Sequence, residues 1–106
     1  MSEHIFKYTG LLRIKKSEVV NIDFPFEDKV NWLFMENNFH KYSFIYEIQN
    51  PKSANFDEVF RIKMKFLMDG IDSIIDFNKT YLVYRGEEEI GFLHSIERIN
   101  KNFILE

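Results

Sequence analysis

Apolar residues recur at every second position along much of this chain, which is the period of a strand with one buried face. In FDEVFRIKMKFLM, Phe56, Glu58, Phe60, Ile62, Met64, Phe66 and Met68 share one parity, and Asp57, Arg61, Lys63 and Lys65 take the other. A helix would set Arg61 and Lys65 beside core-facing residues three and four positions away, so the two-residue period fits better. KYSFIYEIQ repeats the pattern with Tyr42, Phe44, Tyr46 and Ile48, and VNIDFPF does so with Val20, Ile22, Phe24 and Phe26, ending at Pro25, which lacks a ladder donor. Near the start, Phe6, Tyr8, Leu12 and Ile14 alternate with Lys7, Thr9 and Arg13, and Gly10 interrupts the face where a bulge or a close backbone approach is expected.

The stretch TYLVYRGEEEIGFLHSIERI divides into two strand-like arms joined at Gly86-Glu87, and glycine at the first central position suits a type II′ hairpin turn. EDKVNWLFMENNFHKY departs from the pattern. Val30, Leu33 and Phe34 have helical spacing and Asn37-Asn38 would stop a helix, so a short helix or an irregular loop is expected over 27–38. Asn50-Pro51 and Asp69-Gly70 mark turns. The expectation is a single, mainly β domain over 1–106: a six- or seven-stranded antiparallel barrel or sandwich, which hides sheet edges at this length.

Composition agrees. With 106 residues, 45% hydrophobic and 17% aromatic, the chain can build one real core and is far from a disordered composition. It has 14 basic and 17 acidic residues, a formal net charge of −3, so nucleic-acid binding would need a local basic patch. The absence of cysteine removes disulfides, thiolate metal sites and cysteine nucleophiles. MSEHIFKYTG has no basic n-region with an apolar run behind it, and no segment has the length of a membrane span; a cytoplasmic protein is expected.

In YLVYRGEEEIGFLHSIERI, Gly86 at the turn, Ile90, Gly91, Ile96 and Ile99 follow the layout of the last hairpin in the C-terminal β-barrel domain of elongation factor Tu and related translation GTPases. The chain resembles that domain most over 60–99, where FRIKMKFLMDGIDSIIDFNKTYLVYRG is similar to the family's penultimate strand, loop and incoming arm. The resemblance implies a barrel. It does not extend to the family's basic positions: Glu88 and Leu93 stand where the hairpin carries Arg and a second Gly, and the Gly-Gly-Arg and Gly-Tyr-Arg-Pro segments are missing. With no G-x-x-x-x-G-K-[ST] loop, GTPase activity is not implied, and fold alone does not carry function.

Candidate chemistry is sparse. His4, His40 and His94 have no metal-ligand spacing, so no metal or cofactor is expected. His94 shares parity with Ile90, Phe92 and Ile96, which predicts an inward, core or rim histidine; Ser95, next to it in a strand, should face the other way and so be unable to pair with it. No catalytic motif appears, and a non-enzyme is expected. Arg61, Lys63 and Lys65 form a basic outward stripe, with Lys7, Arg13, Lys15 and Lys16 expected nearby, but the aromatics of that strand have the opposite parity and offer no stacking platform.

Glu87, Glu88 and Glu89 sit at the expected hairpin tip and, with Glu3, Glu18, Asp23, Glu27 and Asp28, make an acidic surplus without a local counterion. Such a patch attracts and selects a basic protein. The leading expectation is therefore a non-catalytic protein-binding module of the immunity or inhibitor type, its partner a basic toxin or a translation factor, with Glu87, Glu88 and Glu89 as the contact. A translation-associated domain binding tRNA or single-stranded RNA is the alternative, and a small-ligand-binding barrel the second. The protein is expected as a monomer or an edge-paired dimer.

Overall fold

The structure is a computed structural model that describes residues 6–28 and 31–99. Its strands are β1 (Tyr8–Ile14), β2 (Trp32–Asn37), β3 (His40–Ile48), β4 (Phe60–Phe66), β5 (Tyr81–Arg85) and β6 (Glu88–Arg98). They close into an antiparallel barrel in the order β1-β4-β3-β2-β5-β6, with β6 returning to β1. The only helical pieces among the described residues are single 3₁₀ turns at Pro25–Glu27, Pro51–Ser53 and Ile71–Ser73.

Alternation builds the core. Phe60, Ile62, Met64 and Phe66 of β4, Leu12 and Ile14 of β1, and Phe44, Tyr46 and Ile48 of β3 all point inward and are buried. Each such side chain contributes about 1.5–3 kcal/mol by leaving water. Tyr8 meets Phe66 edge-on at 5.6 Å, and Phe44 meets Phe66 likewise at 6.0 Å.

Several expectations change. Within the segment expected as a helix or loop over 27–38, Trp32–Asn37 form β2, paired with β3 from Trp32↔Ile45 to Asn37↔His40. Leu33, Met35 and Asn37 face in, while the outward Phe34 is itself half-buried, so apolar residues on both faces produce the helical spacing. Asn38 and Phe39, with φ of 52° and 68°, form the turn, so Asn37-Asn38 leads into a hairpin instead of ending a helix. Val30 lies outside the described residues.

VNIDFPF is not a strand. Ser17 Oγ accepts the amide protons of Val19 and Val20, Glu27 Oε1 accepts those of Asp23 and Phe24, and Pro25 opens a 3₁₀ turn. The closed barrel offers that segment no free edge to pair with, and Val20, Phe24 and Phe26 face solvent. The same closure leaves no free edge among the described strands for an edge-paired dimer. The β4 pattern is also shorter than its sequence period: Asp57 turns at φ 66° and Met68 is exposed.

Strand β6 changes faces twice. Its partner on β5 steps from Val83↔Gly91 to Tyr84↔Glu89, and its partner on β1 from Thr9↔Glu97 to Leu11↔His94. Each step leaves an extra residue in β6, a β-bulge, the second at Ser95 with φ 53°. That shift lies across from Gly10, where a bulge in β1 was expected; the extra residue is in β6 instead. Buried positions in β6 consequently fall at Ile90, Leu93 and Ile96. Phe92 is exposed and His94 only half-buried, which overturns the inward parity expected of them.

Candidate functional site

The β5–β6 hairpin turns on Gly86 and Glu87 between the paired residues Arg85 and Glu88. Gly86 has φ 61° and Glu87 has no such constraint, as a type II′ turn requires. Behind the turn, Gly91 is fixed by crowding: a Cβ there would lie 1.9 Å from the Arg13 carbonyl oxygen. The hairpin is thereby held hard against β1, and its tip is presented on a rigid base.

The three glutamates at the tip have different surroundings. Glu88 is half-buried: its Oε1 accepts the Ser17 hydroxyl at 2.8 Å and its Oε2 accepts the Glu18 amide at 2.9 Å. The Glu18 amide, the Ser17 hydroxyl and then the nearby Lys15 and Arg85 hold its carboxyl below the usual glutamate range, against the opposing effect of burial. It is a staple for the segment after β1. Glu87 is fully exposed, with Lys41 Nζ 3.6 Å away, and Glu89 is exposed.

Around Tyr84 the picture widens. Its hydroxyl donates to Glu36, and this bond, then desolvation and the charges of Glu36, Glu89 and Glu87, push its pKa up. Lys41 lies 4.2 Å from the Tyr84 ring centre and donates to the Gly86 carbonyl at 3.1 Å. The acidic group at this end is therefore Glu36, Glu87 and Glu89. Glu36 was not legible as a member because β2 was not recognised as a strand; the Phe34↔Tyr84 register is what brings it there.

Other acids expected to lack counterions have them. Asp23 pairs with Lys16 at 3.0 Å, and the buried Asp28 pairs with Arg85. Glu3 lies outside the described residues. Beside the tip stands Val19, 81% exposed; further along the same segment Phe24 and Phe26 stack at 5.4 Å while facing solvent. A cleft of about 410 Å³ between Val19 and the tip is lined by Val19, Val20, Arg85, Glu87 and Glu88.

The basic stripe is less free than its sequence implied. Arg61 is exposed, but Lys63 and Lys65 are half-buried, and Lys63 stands across from Glu47. In β6, His94 Nδ1 and Ser95 Oγ are 3.1 Å apart, contrary to the expected opposite orientation, because the bulge at Ser95 breaks strand alternation. Ser95 is exposed, and among the described residues nothing orients the other ring nitrogen, as a working nucleophile and base would require. No three potential metal ligands gather among the described residues, and no helix there is long and apolar enough to cross a membrane.

No protein-family model, no curated protein and no solved structure matches the chain.

Proposed function

We propose that this protein is a non-catalytic, cytoplasmic binding module, a barrel of the elongation-factor type whose β5–β6 tip receives a basic protein partner. The observation that carries the reading is the adjacency at the hairpin tip: exposed Val19 lines one cleft with exposed Glu87, and the Glu36–Tyr84–Glu89 group stands next to Glu87. Apolar contact supplies affinity where it is desolvated, and the acidic surface steers and selects. Glu88 acts in this reading by fixing the apolar segment beside the charges, through Ser17 and Glu18.

An immunity-type protein that masks a basic toxin, or one that holds a translation factor, fits this surface. The test is affinity capture from native cell extract at low and at high salt. A stoichiometric protein of high pI, retained at low salt and released at high salt, is the expected outcome. Recovery of RNA instead, with salt-dependent binding through Arg61 and its neighbours, would replace this reading with the translation-associated one.

A further inference from the structure

Strand β6 turns Phe92 and His94 away from the core between its two bulges, and the neighbouring strands set three further side chains beside them. Arg13 is the β1 partner of Phe92, and the pair Leu12↔Phe60 places Val59, the residue before β4, next to Arg13 on its other side. The pair Tyr81↔Leu93 likewise brings Thr80, the residue before β5, to His94. Cross-strand neighbours share a face of the sheet. The result is a hollow on the outside of the barrel, a cleft of about 320 Å³ lined by Arg13, Val59, Thr80, Phe92 and His94.

Its lining combines two kinds of surface. Val59 and Phe92, 51% and 44% exposed, supply apolar walls. Arg13 is exposed and makes no ion pair among the described residues, so its guanidinium is free for an incoming anion. Thr80 adds a hydroxyl, and His94 a ring nitrogen: where the Ser95 hydroxyl donates to Nδ1, Nε2 carries the proton and is a donor. There is no carboxylate among the lining residues. A second cleft, of about 410 Å³, shares Thr80 and His94 with the first and has Lys79, Ser95 and Glu97 in its wall.

Single exposed apolar residues are ordinary on a protein surface, but here a ring and a branched aliphatic share one hollow with an unopposed cation, the mixture of apolar wall and few polar groups that small-molecule sites use. We infer that this cleft binds a small aromatic carboxylate. The ligand's ring packs on Phe92 and Val59 and removes apolar area from water on both sides. The planar guanidinium of Arg13 matches the two carboxylate oxygens as a fork, and Thr80 and His94 supply further donors. One guanidinium balances one negative charge, and Glu97 in the adjoining cleft opposes a second, so a monoanion suits the site better than a phosphate dianion. Arg13 repels a cation, and a neutral amide forgoes the charge-assisted pair. The site goes beyond the protein-binding reading and does not depend on it: it shares no lining residue with the cleft at the hairpin tip.

Four probes built on one ring test this: benzoate, benzamide, benzylammonium and phenyl phosphate, each titrated into the full chain while the Arg13 Nε–H, the His94 and Phe92 rings and the Val59 methyls are followed by NMR. Benzoate should bind saturably with a dissociation constant on the order of 1–10 mM and shift all four residues. The other three should bind at least about fivefold more weakly. Arg13→Gln, at an exposed position, should keep the parent's thermal midpoint and weaken benzoate roughly tenfold. The probe series needs only the parent chain, so it decides whether or not the variant folds. No saturable shift at these residues, equal or tighter binding of any other probe, or a folded Arg13→Gln protein that binds benzoate as the parent does overturns the inference, and each leaves the protein-binding reading at the hairpin tip standing.

Discussion

Two hairpins close this barrel with two-residue turns, and they are made from opposite materials. The β5–β6 turn uses Gly86 at φ 61°, where a Cβ would meet open space, so the conformation is the sole demand on the residue. The β2–β3 turn uses Asn38 and Phe39 at φ 52° and 68°, and Phe39 is 96% exposed. Asn tolerates that region; a bulky aromatic does not, and the left-handed conformation costs it roughly 1–2 kcal/mol. The first turn carries the residue its conformation favours, whereas the second holds an aromatic side chain in water at some expense to stability.

Substitutions can sharpen or break this contrast. The largest effect is expected behind the first turn: Gly91→Ala drives a Cβ into the Arg13 carbonyl and should cost roughly 3 kcal/mol or more, read by denaturant unfolding. A near-neutral result would mean that β6 does not cross β1 as closely as described. Gly86→Ala should cost about 1 kcal/mol through backbone conformation alone. Phe39→Gly should act in the opposite sense, raising stability by about 0.5–1 kcal/mol by creating an Asn-Gly turn; a loss would show that Phe39 contributes to the fold.

The smallest effect concerns the staple. Glu88→Gln should lose about 0.5 kcal/mol at neutral pH by weakening two charge-assisted bonds close to solvent. Because the folded carboxyl titrates lower than the unfolded one, its contribution is present above the ordinary glutamate range and disappears as pH falls through the folded value. The parent and Glu88→Gln stabilities should therefore converge in acid. A gap that persists unchanged at low pH would exclude the carboxylate as its source.

The same contrast explains what the sequence disclosed. The β5–β6 hairpin was legible because glycine announces its turn and each arm alternates. The β2–β3 hairpin was hidden: Asn-Phe is no turn signal, and Phe34 is apolar on the outer face, giving a false helical spacing. VNIDFPF erred in the other direction, since alternation alone does not make a strand when no neighbour is free to pair. In β6, two bulges invisible to a fixed period moved Phe92 and His94 outward and brought Ser95 to His94. At the tip, the acidic run was readable as exposed charge, but Glu88's partners lie some seventy residues away in sequence, and only folding joins them.

In the function proposed above, Glu87 and Glu89 serve a partner while Glu88 serves the fold through Ser17 and Glu18. The deciding measurement uses the double variant Glu87→Lys/Glu89→Lys, captured against native extract beside the parent after confirming an unchanged thermal midpoint. The basic partner retained by the parent should be lost from the variant. Retention of the same partner in equal amount by the charge-reversed protein would contradict it.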